Sequence, residues 1–195
     1  WKPIFVLGYE HQFVGGGEHP LNTLHNDDRK LVGRAVTCTY CPARPDLHEV
    51  QFARGAEDGL QGNYNQWVID HLYERDVVVC DMYDKIYKGT FLGGNLTTAL
   101  HNRTKTGGAV IWGGIRDVEQ MKKVPDVQVY YRGIDPTPIR EFVMKDWNDI
   151  TNFGGAVCLP GDIVFGAGGG VLFIPAHLVA DVVEGAAKTH VKDDF

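Results

Sequence analysis

The sequence predicts a single layered α/β domain, and three observations support that fold class. Segments with helical and strand periodicity alternate from residue 31 to residue 131, which is typical of helices packed on a sheet. From residue 155 the pattern changes to consecutive short strands separated by glycine turns. The chain has 195 residues, 44% of them hydrophobic and 23% charged, which is the size and composition of one domain with its own core.

Hydrophobic periodicity and boundary residues assign the individual elements. Asn63 is a favourable N-cap, and residues 76–80 form a continuously apolar strand of the kind that is buried on both faces of a sheet. The predicted strands cover residues 31–40, 76–80, 109–112, 127–131, 155–159, 162–166 and 170–174. The predicted helices are residues 46–60, a helix beginning at Asn63, residues 96–105, residues 118–123 and a last helix with Pro175 at its first position.

The two ends of the chain differ in character. Residues 1–30 mix glycines, prolines and polar residues, so we predict an N-terminal arm there and one domain over residues 31–195. The last helix has four apolar residues at the i, i+3, i+4, i+7 spacing, which predicts a buried face. These residues are Val179, Val182, Val183 and Ala186.

Charge and composition argue against several classes of function. The net charge is −6 and no cluster of Lys and Arg is present to neutralise a row of phosphates, so we expect no nucleic-acid partner. No apolar run reaches the roughly 18 residues that a membrane helix needs, so we expect no membrane partner. The glycine-rich stretch 166–170 leads into another strand, which predicts a hairpin rather than a dinucleotide-binding loop. The chain starts at Trp1 without a methionine, which leaves open a removed leader.

Four cysteines raise the possibility of a metal or redox site. Cys38 and Cys41 form a C-x-x-C pattern, but they lie on a predicted strand, where residues three apart point to opposite faces. Cys80 and Cys158 lie in apolar strands and do not complete a second pair. We therefore expect four structural thiols in a reducing compartment and a cytoplasmic protein.

Two glycine turns carry the candidate site. Gly93-Gly94-Asn95 leads into a predicted helix, whose first N–H groups and positive dipole end can hold a carboxylate or phosphate, and the glycines would let a ligand approach the backbone. The pair Arg116-Asp117 follows the next strand. Arginine offers a planar fork for a carboxylate, and aspartate offers a hard oxygen for Mg²⁺ or Mn²⁺. On neighbouring strands both turns would open at one edge of the sheet. The same pattern also fits ordinary turns and a solvated surface pair.

The order of these segments resembles a known family, that of the regulator of ribonuclease activity A and the 4-hydroxy-4-methyl-2-oxoglutarate aldolases. The similar stretches run from residue 31 to about residue 187, nearly the whole chain, in the same order. They are residues 31–37, 76–81, 94–96, 113–118, 132–133, 160–164 and 170–175 with the helix after them.

The resemblance implies a swivelling β/β/α sandwich that assembles as a homotrimer or a hexamer, with active sites between subunits. It also implies a divalent cation, Mg²⁺ or Mn²⁺, and a small carboxylic acid substrate that yields pyruvate. Carried over by position, Gly94, Asn95, Leu96 and Thr97 would line the substrate. Arg116 would hold the carboxylate of the 2-oxo acid, and Asp117 would ligate the metal, whose bound water could carry the proton. A metal chelated by the substrate's carboxylate and keto oxygens would stabilise the enolate left by C–C cleavage.

Three positions depart from the family's usual acidic residues, namely Asn95, Trp112 and Gln120. An amide at position 95 still accepts hydrogen bonds but cannot deprotonate a metal-bound water. The leading hypothesis is a metal-dependent lyase of the aldolase or decarboxylase type, with Arg116, Asp117 and Asn95 as its catalytic residues. A non-catalytic regulator that binds a ribonuclease and a metal-dependent sugar-acid dehydratase or hydratase are the alternatives. A Schiff-base aldolase using Lys85 or Lys88 is a further, weaker possibility, since nothing around either lysine indicates a lowered pKa.

Overall fold

A mixed nine-stranded sheet organises the part of the chain that the structure, a computed structural model, describes, namely residues 2–17 and 19–193. The strands are β1 (Phe13–Gly15), β2 (Asn22–Thr23), β3 (Leu31–Pro42), β4 (Asp76–Leu92), β5 (Gly108–Ile115), β6 (Gln128–Ile134), β7 (Phe142–Trp147), β8 (Thr151–Phe153), β9 (Ala156–Cys158), β10 (Ile163–Ala167) and β11 (Gly170–Ile174). The helices are α1 (Lys2–Val6), α2 (Pro45–Glu57), α3 (Tyr64–Asp70), α4 (Gly94–Thr104), α5 (Val118–Met121) and α6 (Val179–Asp193), with a 3₁₀ turn at Ala176–Leu178.

The strand order places four parallel strands in the centre of the large sheet. The order is β1-β11-β10-β3-β4-β5-β6-β2, with β7 also paired to β3, and β3 through β6 run parallel. The carboxyl ends of β4 and β5 therefore open at the same edge, as predicted. This edge carries the candidate site.

The domain has three layers, which confirms the predicted layered α/β class. The larger core, which includes Tyr40, Trp67 and Leu100, lies between the helices and one face of the large sheet. A second core, which includes Trp112 and Phe153, lies between its other face and the two-stranded sheet of β8 and β9. Alternate residues of the apolar strand β4 contribute to the two cores, because successive side chains of a strand point to opposite faces.

Every predicted strand is present. Some strands are longer than predicted, and others were not predicted at all. β4 continues to Leu92 instead of ending near residue 80, and β7 and β8 lie where no strand was predicted. The N-terminal segment supplies β1, which pairs with β11, and β2, which pairs with β6. The segment predicted as an arm thus packs onto the domain along both edges of its sheet.

The prediction for the last helix is wrong in two respects. Pro175 precedes a 3₁₀ turn, and the α-helix begins only at Val179. Of the predicted apolar face, Val182 is buried, whereas Val183 is 60% exposed and Ala186 is exposed. The spacing is that of an apolar stripe, but in the single chain only part of the stripe is covered.

The cysteines and the glycine-rich hairpin follow the predictions. Cys38, Cys80 and Cys158 are buried, Cys41 is half-buried, and all four thiols are free. β10 and β11 pair as an antiparallel hairpin across the glycine turn. In the described ranges, no helix combines the length and the apolar character that crossing a membrane requires.

Candidate functional site

Two strand ends bring the predicted residues together. β4 leads through Gly93 into α4, and β5 leads through Arg116 and Asp117 into α5. The Gly94 N–H donates to Asp117 Oδ2 at 3.3 Å, so the Arg-Asp pair meets the N-terminus of α4 directly. Asp117 adopts the left-handed conformation, with φ 56° and ψ 37°, which aspartate tolerates better than most residues.

Arg116 is held by the end of β4. Its backbone N–H donates to Leu92 O at 2.9 Å, and its Nη1 donates to Thr90 O at 3.1 Å and to Thr90 Oγ1 at 3.2 Å. Its Nε lies 3.7 Å from Asp117 Oδ2, and the side chain is 23% exposed. Among the described residues no hydrogen bond uses Nη2. The guanidinium is therefore fixed on one side and has a free donor on the other.

Side chains of the protein itself lie where a Cβ on either glycine would be. A Cβ on Gly93 would lie 2.7 Å from Asp117 Oδ2 and 2.9 Å from Arg116 Cγ. A Cβ on Gly94 would lie 2.2 Å from Gln120 Cδ. Arg116, Asp117 and Gln120 thus occupy the positions that a Cβ on these glycines would take, and the approach of a ligand to this backbone stays a prediction.

The first turn of α4 divides the other predicted residues. Asn95 is exposed, and its Oδ1 accepts a hydrogen bond from Gln120 Nε2 at 3.2 Å. Leu96 is half-buried against the larger core. Thr97 is fully buried and its Oγ1 donates to Gly93 O at 2.9 Å, so its hydroxyl closes the helix turn instead of facing solvent. Asn95 and Leu96 therefore remain candidate site residues beside Arg116, whereas the buried Thr97 hydroxyl does not.

Arg116 and Asp117 face different cavities. Arg116, Asn95 and Leu96 line a cavity of about 710 Å³ that α2, α3 and residues 138–142 complete. Asp117 and Gln120 line a neighbouring cavity of about 790 Å³. The hydrogen-bonded amides of Asn95 and Gln120 lie between the two, so a ligand that contacts both members of the Arg-Asp pair would cross this boundary.

The oxygen donors at the boundary suit a hard divalent cation. Asp117 uses Oδ2 for its contacts with Gly94 and Arg116, which leaves Oδ1 without a partner among the described residues, and its side chain is 49% exposed. Within the same ranges, no three His, Cys, Asp or Glu residues group closely enough to hold a metal. One carboxylate with nearby amide oxygens fits Mg²⁺ or Mn²⁺, which retain waters and accept substrate oxygens as ligands.

Trp112 lies away from the cavity edge. It packs on the opposite face of the sheet against Phe153, with the Arg132 guanidinium 4.5 Å from its ring. The position where the resemblance expects an acid is thus part of the second core, so a carboxylate there is replaced by apolar packing.

Lys85 and Lys88 are paired at the same end of the sheet. Lys85 Nζ lies 2.6 Å from Glu141 Oε2, and Lys88 Nζ lies 2.9 Å from Glu141 Oε1. The hydrogen bond that Lys88 donates to Glu141 raises the pKa of Lys88, and the two lysines lower the pKa of Glu141 to about 2. Lys88 is therefore held as an ammonium ion, which is a poor nucleophile, and Lys85 is engaged by the same carboxylate.

Sequence reasoning missed the far wall of the first cavity. Arg44 reaches it from the turn before α2, His48 from α2 and Tyr64 from α3. Arg140 reaches it from the segment before β7. Only the weak helical pattern of residues 46–60 pointed to this region, and nothing in it indicated that α2 faces Arg116.

The fold and the site together define a layered α/β protein that presents an arginine and a carboxylate at the ends of parallel strands. The chain belongs to the RraA-like family, described as Aldolase/RraA, whose model matches residues 10–173. This confirms the resemblance drawn from the sequence.

Individual relatives agree with that family. A protein of Pseudomonas entomophila that carries the provisional name 4-hydroxy-4-methyl-2-oxoglutarate aldolase is 31% identical over 159 residues, which cover 73% of this chain and 95% of that protein. Protein DlpA of Legionella pneumophila is 31% identical over 156 residues, and the match covers 79% of this chain but only 23% of DlpA.

Solved structures share the fold. RraAS2 of Streptomyces coelicolor, described as an unusual member of the RNase ES inhibitor RraA protein family, superposes with a TM-score of 0.78 at 20% identity. The superposition covers 100% of this chain and 87% of RraAS2. At this identity the likeness concerns the fold alone.

Proposed function

We propose that the protein is a divalent-cation-dependent lyase that cleaves a small 2-oxo or hydroxy acid and releases pyruvate or a related 2-oxo acid. The observation that supports this function is the contact between Asp117 Oδ2 and the Gly94 N–H, which joins the Arg-Asp pair to the N-terminus of α4. The names of the aldolase-like relatives agree with it.

Arg116 and α4 would bind the substrate. The free Nη2 of Arg116 can donate to the carboxylate of a 2-oxo acid, and a charge-assisted hydrogen bond of this kind is stronger than a neutral one. The N–H groups of the first helical turn have no partners inside the helix, so those of Asn95 and Leu96 can donate to the same anion. Together they give an acid two points of attachment.

Asp117 would hold the cation, with the Gln120 and Asn95 amides close by. When bound, Mg²⁺ or Mn²⁺ supplies Lewis-acid stabilisation of negative charge on the substrate's oxygens. Asp117 Oδ1 has no partner among the described residues, and the side chain is 49% exposed, so this oxygen is available as a ligand. The lysines bound to Glu141 have no role in this scheme.

The direct test is pyruvate release from a panel of 4-hydroxy-2-oxo acids and sugar acids, with Mg²⁺, with Mn²⁺ and with EDTA. We expect turnover that EDTA abolishes and either cation restores. Oxalate, a dicarboxylate analogue of the pyruvate enolate, should bind only when the cation is present, as measured by calorimetry. Loss of water from a sugar acid without pyruvate release would instead favour a dehydratase.

A second candidate is a non-catalytic regulator that binds a ribonuclease. The Asn95–Gln120 hydrogen bond favours it, because two amides satisfy each other where a carboxylate could have exchanged a proton. A ribonuclease pull-down combined with no turnover across the whole acid panel would support this candidate over the lyase.

We also propose that the chain acts as a homotrimer or hexamer in the cytoplasm. Exposed apolar side chains, among them Phe13, Phe165 and Val183, surround a narrow apolar cavity of about 320 Å³ between α6 and the sheet. Grouped exposed apolar residues are typical of surfaces that another chain covers.

A further inference from the structure

The cavity that Arg116 lines has a second chemical wall, formed by α2 and α3. Besides Asn95, Leu96 and Arg116, its lining includes Arg44, His48, Tyr64 and Arg140. No Asp or Glu belongs to this lining within the residues that the structure describes. The cavity is therefore cationic, and the side chains that could move a proton in it are few.

Elimination leaves one candidate for general acid-base catalysis in the described lining. The three arginines remain charged at any pH that a protein tolerates. Burial raises the pKa of Tyr64 to about 12, so its phenol stays protonated. The side-chain amides of the lining, those of Asn63, Asn65, Gln66 and Asn95, do not titrate. Imidazole is the side chain that most often transfers protons in enzymes, and His48 supplies the one imidazole of the described lining.

His48 is held in position by its neighbours. Tyr64 Oη lies 3.0 Å from His48 Nδ1 and 3.4 Å from His48 O, and the Phe52 ring lies 4.6 Å from the imidazole. Tyr64 Oη can make both of these contacts at once if it donates to the His48 carbonyl oxygen and accepts from the Nδ1–H of the imidazole. In that tautomer Nε2 is the free base of the ring.

We propose that His48 is the proton-transfer residue of the lyase, oriented by Tyr64; this inference rests on the proposed function. Nε2 accepts the proton of the substrate's C4 hydroxyl while the C3–C4 bond breaks. The electron pair of that bond remains with C3 as the enolate of the 2-oxo acid, and C4 becomes a carbonyl. The imidazolium then returns the proton to C3, so the step consumes no other reactant.

The pH dependence of turnover identifies the group. The groups around His48 are Arg44 and Asp46, which pair with each other near the start of its helix, Tyr64 on α3, and Arg116 and Arg140 across the cavity. Arg44 lowers the pKa of Asp46, and Tyr64 ionises only in strong alkali, so none of these neighbours titrates near neutrality. A limb of the rate profile that disappears in His48→Gln therefore reports His48.

The test compares His48→Gln, Tyr64→Phe and a matched control, His177→Gln, in the full-length protein. His177 lies in the 3₁₀ turn after β11, away from the cavity, and contacts Tyr9 instead. Three quantities are measured with Mg²⁺ present: pyruvate release against pH, exchange of the C3 protons of pyruvate in D₂O, and oxalate affinity. Melting temperatures verify that each variant folds.

We expect His48→Gln to lower turnover and C3-proton exchange by about 10²–10⁴-fold and to remove the pH limb, while oxalate affinity changes less than about threefold. Tyr64→Phe should lower turnover by about tenfold or more and shift the limb, because it keeps the base but loosens the ring. Added imidazole should partly restore turnover in His48→Ala, and His177→Gln should match the wild type.

The outcomes separate this inference from the proposed function. A wild-type protein that releases pyruvate, with His48→Gln equally active and showing the same pH limb, overturns the role of His48 alone. If the wild-type protein neither releases pyruvate nor exchanges the C3 protons of added pyruvate, the proposed lyase function and the proton-transfer role of His48 are both wrong.

Discussion

Gly93→Ala tests whether the Arg-Asp pair is built against the turn before α4. The backbone at Gly93, with φ −141° and ψ −176°, is extended and accepts alanine without strain. The new methyl group would nevertheless lie 2.7 Å from Asp117 Oδ2 and 2.9 Å from both Cγ and Nε of Arg116. All three distances are too short, so either the pair or the turn has to move.

The expected cost follows from these contacts. Inserting a methyl group into a packed site costs about 1–3 kcal/mol. In a domain of this size that lowers the melting temperature by about 2–12 °C, at roughly 2–4 °C per kcal/mol. Displacing Arg116 also weakens its hydrogen bond to a bound acid, which is worth about 1.5–3 kcal/mol, or roughly tenfold to a hundredfold in affinity.

Gly94→Ala is the matched control. The nearest atoms to its methyl group are Cγ, Cδ and Oε1 of Gln120, a side chain that is exposed and can swing away. Alanine is also a better helix former than glycine by about 0.5–1 kcal/mol. We expect an unchanged or higher melting temperature and oxalate affinity within a few-fold of the wild type. If Gly93→Ala binds oxalate with wild-type affinity in calorimetry, the pair is not the anion and cation site.

Four further outcomes are expected. Arg116→Ala should weaken oxalate binding by about tenfold to a hundredfold, whereas Asp117→Ala should remove Mg²⁺-dependent turnover; full metal-dependent turnover in Asp117→Ala would mean that the cation binds elsewhere. Turnover should be lost in EDTA and kept in a Lys85→Ala, Lys88→Ala double variant, and borohydride trapping of substrate on the protein would contradict this. Light scattering should show a trimer or hexamer at micromolar concentration; a monomer would exclude sites between subunits. Arg34→Ala leaves the buried Asp76 carboxylate without its guanidinium, 2.9 Å away, so the free energy of unfolding should fall by about 1–3 kcal/mol, with oxalate affinity at 25 °C unchanged; an unaltered melting temperature would contradict this.

Local patterns predicted the elements that periodicity defines. β3, β5 and the β10–β11 hairpin lie close to their predicted bounds because apolar residues and flanking glycines mark them. The shared edge of β4 and β5 followed from the parallel arrangement alone, so the proximity of Gly94 and Asp117 was predictable without coordinates.

Long-range pairing and side-chain direction were not predictable in the same way. β7 follows prolines and pairs with β3 from about a hundred residues away, and its pairing partner leaves no mark in its own sequence. Thr97 follows the helix start like Asn95 and Leu96, yet it is buried and bonded to Gly93 O. His48 and Arg140 come from separate segments whose approach to Arg116 depends on how α2 packs.

The left-handed backbone at Asp117 explains how two adjacent residues can serve two cavities. In a continuing strand, Arg116 and Asp117 would point to opposite faces of the sheet, one of them into a core. The turn at φ 56° and ψ 37° instead ends β5 and brings the Asp117 carboxylate back beside Gly94 and within 3.7 Å of the Arg116 guanidinium. Arg116 then faces the cationic cavity with His48, and Asp117 faces the neighbouring one. If Asp117 holds the proposed cation, a ligand with two oxygen-bearing groups on adjacent carbons, as in a 2-oxo acid, can reach the guanidinium on one side and the cation on the other, which a monofunctional acid cannot.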